Sequence, residues 1–135
     1  MFRPDFKAAV PILADGDFAP GSFGHQLIET LAPSDIAVEK VYPSGFTQSR
    51  LRLELELHGI DTVILAGITT NVGVMATFHD ARQLGFKTMV LEDGCACRDA
   101  QVHTAAIAAI RGAAYHEKTV ISAAELHTAL DIAAP

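Results

Sequence analysis

Residues 62–91 read TVILAGITTNVGVMATFHDARQLGFKTMVL, and this stretch decides the fold. It contains two short apolar runs rich in β-branched residues, at 62–66 and 88–91, separated by a segment with helical spacing. Both runs are continuously apolar rather than alternating, which is typical of strands covered on both faces of a parallel sheet. The segment between them predicts a helix that begins near Thr70 and ends at Gly85. The stretch therefore predicts a strand–helix–strand unit.

The same pattern extends in both directions along the chain. Apolar runs at 36–38 and 119–121 predict two further strands. The spacing at 99–111 predicts a helix with Asp99 as its N-cap and Gly112 as a left-handed residue at its end. The apolar faces of the two best helices should be buried, and they comprise Val72, Met75, Ala76 and Phe78 in one and Val102, Ala106, Ala109 and Ile110 in the other.

Two more helices are predicted, one of them against a conflicting signal. A helix over 25–31 follows the turn marked by Gly21. In 51–57 leucines alternate with polar residues, and this period alone predicts a half-buried strand. We interpret it as a helix, because its residues are helix formers, Gly59 follows, and a parallel crossover would not fit before the next strand. The predicted fold is α/β, a doubly wound (Rossmann-like), mostly parallel sheet flanked by helices.

Composition limits the classes of protein to which the chain can belong. With 135 residues, 14.4 kDa, 50% hydrophobic residues and a mean hydropathy of +0.27, it suits one domain over 1–135, of which 1–19 is irregular. No apolar stretch approaches the roughly 20 residues that span a bilayer, and no signal peptide is visible, so we expect a cytoplasmic protein without membrane association. A net charge of −6 argues against nucleic acid as a partner.

Candidate site residues come from positions at strand ends. The junction 66–74 lies where a buried strand gives way to a helix, a place where α/β sheets bind ligands and where free backbone N–H groups suit an anion. A polar turn that merely caps the helix is an equally weighted interpretation. Lys40 follows the run at 36–38, and either enters the crevice or reaches out to solvent. Ser44 and Phe46 lie on the loop after it and would line the same crevice.

The two cysteines and the histidines favour structural roles. Cys95 and Cys97 are too close in sequence for a good disulfide and too few for a zinc site, so we interpret them as small side chains near a strand end. His79 and His103 are interpreted as packed or solvated helix residues rather than ligands. We therefore expect no metal and no cofactor.

Three segments in this order, PGSFGHQLIETLAP, VEKVYPSGF and HGIDTVILAGITTNVGVMATFHDARQLGFKTMVLEDGCA, resemble the isochorismatase-like hydrolases, also called cysteine hydrolases. The resemblance covers residues 20–126, and 59–93 is its most specific part. The family includes nicotinamidases, carbamoylsarcosine amidases, ureidoacrylate-type amidohydrolases and isochorismatases. It implies a doubly wound α/β fold and hydrolysis of a small molecule.

The resemblance also implies roles for particular residues. Lys40 matches the family's catalytic lysine, and the backbone N–H groups of Thr69 and Gly73 match its oxyanion donors. The family's non-proline cis peptide matches the bond between Ile68 and Thr69. The substrate-binding residues implied by the crevice are Ser44, Phe46, Ile68, Thr70 and Asn71.

Two departures from the family pattern shape the functional hypothesis. Gly73 stands where the family has its cysteine nucleophile, and neither Cys95 nor Cys97 is expected to replace it, because both follow the next strand. The family's first strand, with its catalytic aspartate, has no counterpart before residue 20. In the family that strand pairs with the one matching 62–66, so we expect an exposed strand edge. Either the chain is a fragment of a longer enzyme, or its sheet closes by rearrangement, or another chain covers the edge, in which case we expect self-association.

Two classes of function follow. The first is an isochorismatase-like hydrolase of a small amide or vinyl-ether metabolite, with a small-molecule substrate and no covalent intermediate at Gly73. The alternative is a catalytically inactive relative that serves as a binding or oligomerisation module. A nucleotide-binding, flavodoxin-like unit is disfavoured, because no glycine-rich phosphate loop follows the first strand.

Overall fold

The computed structural model describes residues 19, 21–27, 29–31, 33–113 and 118–133. The chain divides into two compact units, Met1–Ala37 and Val38–Pro135, which are described separately. The expectation of one domain over 1–135 stays a prediction. The irregular segment 1–19 lies outside the described residues, except for Ala19.

The first unit contains two short turns where one helix was predicted. The segment 25–31 forms parts of two 3₁₀ turns, Phe23–His25 and Glu29–Leu31, so the prediction of a single helix there is wrong. Phe23 is 92% exposed and Leu27 51% exposed. Short helices are stable mainly when an apolar face is packed, and the described side chains of Phe23 and Leu27 provide no such face.

The apolar run 36–38 is not a strand, so this prediction is also wrong. The backbone there pairs with no strand among the described residues, and the boundary between the two units falls within the run. Three apolar residues between Asp35 and Glu39 are too few to form a ladder without a neighbouring strand beside them.

The second unit contains a three-stranded parallel sheet and four α-helices. The strands are β1 (Thr62–Ile68), β2 (Lys87–Ala96) and β3 (Val120–Ile121), in the order β1-β2-β3. The helices are α1 (Leu51–Leu57), α2 (Met75–Gln83), α3 (Ala100–Gly112) and α4 (Ala123–Ala133). A five-residue π-helical segment, the π turn (Thr70–Val74), joins β1 to α2. The predicted α/β class, a parallel sheet flanked by helices, is confirmed.

The helix ends follow the sequence signals with one exception. The segment 51–57 is a helix, and Gly59 after it has a φ of +65°. The side chain of Asp99 caps α3 as predicted, accepting hydrogen bonds from the backbone N–H groups of Gln101 and Val102. The prediction for Gly112 is wrong: it is the last residue of α3, and the chain leaves the helix at Ala113 in a right-handed conformation.

The main core lies between one face of the sheet and helices α2 and α3. It contains six buried side chains: Val74, Phe78, Val90, Ile107, Ile110 and Val120. The predicted buried faces are correct for Phe78, Ala106 and Ile110, whereas Val72, Val102 and Ala109 are exposed. The π turn shifts the phase of the helix, so Val74 rather than Val72 faces the sheet. In α3 the buried face begins at Ala106, one turn later than predicted.

Strand β1 is covered on one face only. Leu65 packs against the core, whereas Ile64 is 39% exposed, Ala66 is exposed and Ile68 is 79% exposed. The prediction that this run is covered on both faces is therefore wrong. In the described part of the chain β1 pairs with β2 alone, so one edge of the sheet ends at β1. None of the described helices is both long and apolar enough to cross a membrane.

Candidate active site

The π turn begins directly after β1 and forms the centre of the candidate site. The peptide bond between Ile68 and Thr69 is cis, as the resemblance implies. The carbonyl oxygen of Thr69 accepts hydrogen bonds from the backbone N–H groups of Val72 and Val74, both at 3.2 Å. Gly73 lies between these two donors. Because the π turn continues into α2, the positive end of a helix points toward this end of the sheet.

The space beside Gly73 is large enough for a side chain. A Cβ placed on this glycine lies 3.6 Å from the carbonyl oxygens of Ile68 and Pro43, which is ordinary van der Waals contact. Its φ is not positive, so an L-residue fits the backbone as well. The glycine is therefore not required by the fold, and the space beside it could hold a larger side chain.

Lys40 lies close to this position. Its Nζ donates hydrogen bonds to the carbonyl oxygens of Tyr42 (3.1 Å) and Pro43 (3.2 Å). The carbonyl oxygen of Pro43 is also the one that faces Gly73. The structure thus brings the ammonium group of Lys40 and the backbone of Gly73 to the same carbonyl group, although the residues are far apart in sequence and Lys40 follows no strand.

Thr77 on α2 holds the segment 40–47, the Lys40 loop, against the π turn. Its Oγ1 accepts a hydrogen bond from the backbone N–H of Gly45 (2.9 Å) and donates one to the carbonyl oxygen of Gly73 (2.7 Å). Thr47 adds a second link, from its Oγ1 to the carboxylate of Asp80 (3.3 Å). The sequence analysis missed Thr77, for which its i+4 position after Gly73 was the available signal.

Ser44 is buried beside Phe46, whose ring packs away from the π turn. Ser44 is 4% exposed and its Oγ accepts a hydrogen bond from the N–H of Phe46 (3.2 Å). The ring of Phe46 packs against that of Phe86 with a centroid distance of 5.6 Å. Phe86 precedes β2 and lies at the opposite end of the sheet from the π turn. The substrate-binding roles of Ser44 and Phe46 stay predictions.

Thr70 and Asn71 connect the π turn to the end of β2 and to α3. Thr70 is fully buried and its Oγ1 lies 2.9 Å from Nδ1 of His103. Asn71 is exposed, and its Oδ1 accepts a hydrogen bond from the thiol of Cys97 at 3.2 Å. Ile68, the last residue of β1, is largely exposed.

Both cysteines lie near the end of β2, as expected. Cys97 also comes beside the π turn, where its thiol meets Asn71. Ile68 pairs with Ala96, so the residue after Ala96 comes beside the start of the π turn. The available signal was the parallel arrangement itself, since parallel neighbours end at the same edge of a sheet. Cys95 and Cys97 are both free thiols, and burial raises the pKa of Cys95.

The described residues also contain a polar cavity elsewhere. It measures about 470 Å³ and is lined by Glu92, Arg111, 118–122 and Glu125. Its charged groups form the ion pairs Arg111–Glu92 and Lys118–Glu125. The partner lysine and hydrogen bonds from Ser122 lower the pKa of Glu125 to about 2. No sequence-predicted site residue lines this cavity. Among the described side chains, no three His, Cys, Asp or Glu come together as a metal site requires.

Two curated relatives match somewhat more than half of the chain. The uncharacterized isochorismatase family protein YecD of Escherichia coli O157:H7 is 40% identical over 74 residues, which are 55% of this chain and 39% of that protein. The maleamate amidohydrolase of Pseudomonas putida is 35% identical over 79 residues, which are 57% of this chain and 37% of the enzyme. The chain therefore spans less than half the length of these relatives.

A solved structure matches nearly all of the chain. The cysteine hydrolase from Pseudomonas syringae pv. phaseolicola superposes with a TM-score of 0.81 at 25% identity, and the match covers 98% of this chain and 66% of that one. The isochorismatase domain family matches residues 2–125. Because this match covers most of the sequence, the chain belongs to the isochorismatase domain family.

Proposed function

We propose that the chain binds a small carbonyl-bearing metabolite beside the π turn and hydrolyses it by direct attack of water, without an acyl-enzyme intermediate. The substrate class is a small amide or vinyl ether. One observation carries the proposal: the ammonium group of Lys40 donates to the Pro43 carbonyl oxygen, which lies 3.6 Å from a Cβ placed on Gly73, beside the start of a helix. A positive charge near a helix start can stabilise a developing oxyanion.

The proposed step for an amide balances with water alone. The water oxygen bonds to the carbonyl carbon while the N–H groups of Thr69 and Gly73 hold the carbonyl oxygen. Lys40 gives a proton to the leaving nitrogen as the carbon–nitrogen bond breaks, and it recovers a proton from the attacking water. The products are a carboxylic acid and an amine, which exchange a proton to give a carboxylate and an ammonium ion. Asn71, on the exposed side of the π turn, would contact the substrate.

The lack of a thiol at position 73 supports the direct mechanism. A covalent route needs a nucleophile at the helix start, and Gly73 has no side chain. Maleamate is the first substrate to test, because the maleamate amidohydrolase of Pseudomonas putida is similar to 57% of this chain. Its negative charge also suits a site formed by a lysine and backbone N–H groups.

The test compares the release of ammonia from maleamate by the purified chain and two lysine variants. We expect Lys40→Ala to lower kcat/KM by at least about tenfold, a loss of about 1.4 kcal/mol of transition-state stabilisation. Lys87→Ala is the matched control, since Lys87 is exposed at the opposite end of the sheet and pairs only with Asp61 at 3.8 Å. Equal effects of both variants would contradict the proposal. The same three proteins are then compared in the hydrolysis of a vinyl ether.

A second candidate function is a binding or oligomerisation module without turnover. The exposed face of β1 favours it, because Ile64 and Ile68 present apolar surface next to a strand edge. In this case the partner is a second copy of the chain. Sedimentation of the chain and of its Ile68→Lys variant tests it: a dimer that the charge dissociates supports the module, and a monomer removes its basis. A cytoplasmic location and the lack of a metal, a cofactor and a nucleic-acid partner stay predictions.

A further inference from the structure

The hydroxyl of Thr77 is the link between the two halves of the candidate site. The proposed chemistry needs Lys40, which belongs to the Lys40 loop, and Gly73, which belongs to the π turn. These elements are separate in sequence and are joined at one side chain. The backbone N–H of Gly45 donates to Oγ1 of Thr77, and this oxygen donates to the carbonyl oxygen of Gly73.

Both hydrogen bonds have normal lengths, 2.9 Å and 2.7 Å, and they use the donor and the acceptor capacity of the same hydroxyl. A threonine in a helix commonly donates to the carbonyl group four residues earlier, so the bond to Gly73 alone is ordinary. The unusual feature is the second bond, because it reaches 32 residues back along the chain to a loop.

The loop also packs closely on Thr77. A Cβ placed on Gly45 lies 3.5 Å from Cγ2 of Thr77 and 3.1 Å from Cδ2 of Leu51. The loop is therefore in van der Waals contact with Thr77 on α2, and its tighter contact is with Leu51 at the start of α1. Two residues before Gly45, the carbonyl oxygen of Pro43 receives the hydrogen bond from Lys40 and faces Gly73. The position of this carbonyl group relative to the π turn is fixed within two residues of the Gly45–Thr77 bond.

We propose that Thr77 is a positioning residue that sets the distance between Lys40 and the backbone donors at Gly73. It touches neither the substrate nor the reacting atoms. The expected effect on the rate rests on the proposed function. The link between the loop and the π turn rests on the two hydrogen bonds alone. Because small misplacements of catalytic groups have large effects on rate, loss of the link should lower kcat more than it raises KM.

The experiment uses three variants of the chain. Thr77→Val keeps the shape of the side chain and removes both hydrogen bonds, whereas Thr77→Ser keeps the hydroxyl. Thr104→Val is the matched control, since Thr104 lies on α3 and donates to the carbonyl oxygen four residues earlier, that of Ala100, at 3.0 Å, in an exposed position. It therefore reports the loss of an ordinary helical threonine bond without a link to a loop.

Two readouts separate this inference from the proposed function. The first is hydrogen exchange of the Gly45 amide by NMR, which needs no turnover: it should accelerate roughly tenfold in Thr77→Val and be restored in Thr77→Ser. The second is hydrolysis of maleamate, in which Thr77→Val should lower kcat about tenfold with KM changed less than about threefold, Thr77→Ser should restore kcat and Thr104→Val should leave it unchanged.

Each result has one meaning. Unchanged exchange at Gly45 in Thr77→Val overturns the structural link. Accelerated exchange with an unchanged kcat overturns the positioning role. If the unaltered chain shows no turnover, the proposed function fails. In that case the exchange measurement alone decides whether Thr77 links the loop to the π turn, and the catalytic role of Thr77 fails with the proposed function.

Discussion

Restoring a side chain at position 73 is the perturbation that the structure defines most closely. In Gly73→Cys the new Cβ would lie 3.6 Å from the carbonyl oxygens of Ile68 and Pro43, so neither neighbour has to move. Replacement of a helical glycine by an ordinary residue contributes a few tenths of a kcal/mol of helix propensity. We therefore expect the free energy of unfolding to stay within about 0.5 kcal/mol of its original value.

The chemical effect of this variant should be large. A thiol at a helix start has its pKa lowered, often to between about 3.5 and 7.5, because the helix dipole stabilises the thiolate. At pH 7 the thiol of Gly73→Cys should therefore react with iodoacetamide faster than Cys95 or Cys97. It should also raise the rate of maleamate hydrolysis at least about tenfold by adding a covalent route.

Mass spectrometry of the alkylated protein, urea unfolding and ammonia release measure these three quantities. Gly73→Ala is the control, because it adds the same Cβ without the thiol. A Gly73→Cys protein that is destabilised by more than about 2 kcal/mol would show that the space beside Gly73 is absent. A stable variant whose new thiol reacts no faster than Cys97 would refute the assignment of the π turn as the site.

Three further predictions concern stability. Gly67→Ala should lower the free energy of unfolding in urea by roughly 1–3 kcal/mol, because Gly67 has a φ of +122° that L-residues rarely adopt; an unchanged midpoint would contradict this. Asp99→Ala should lower the free energy of unfolding by about 1 kcal/mol, because both N-cap hydrogen bonds of α3 are lost. Asp99→Asn should retain most of this stability. The pKa of Glu125 in the folded chain is lowered from 4.5 to about 2. The stability that its carboxylate contributes to the folded chain is therefore present above pH 4.5 and is lost as the pH falls toward 2. The stability difference between the unaltered chain and Glu125→Gln should therefore shrink over this range, and a constant difference would contradict it.

The sequence predicted the elements whose signals are local. The strand–helix–strand unit over 62–91, the helix at 51–57 and the cap at Asp99 all depend on residues within a few positions of each other. The stop at Gly85 is of the same kind. These predictions are confirmed in the structure because hydrophobic period, capping and positive φ act over one or two turns.

The predictions of the fold are wrong where the structure of a segment depends on residues that are far away in the sequence. The run at 36–38 has strand composition, but no described strand lies beside it. The run 62–66 is apolar on both faces, yet only the face that meets α2 and α3 is covered. The π turn shifted the helical phase by an amount that periodicity alone does not give, which exchanged Val72 for Val74 in the core.

The site was predictable in part. The resemblance placed Lys40, Thr69 and Gly73, and the structure brings Lys40 and Gly73 to one carbonyl group. Neither the resemblance nor the pattern indicated Thr77 or Cys97, whose importance depends on tertiary contacts across α2 and β2. Such contacts become visible only when the register of the sheet and the course of the loop are known.

The central claim is that the π turn and Lys40 form the ligand site, and NMR titration with maleate tests it most directly. Maleate is the dicarboxylate that hydrolysis of maleamate yields, and it needs no turnover to bind. We predict that the backbone amide signals of Thr69 and Gly73 and the side-chain signal of Lys40 shift together and saturate. Shifts confined to the cavity around Arg111 and Lys118, or no saturable shift at the π turn, would contradict the claim.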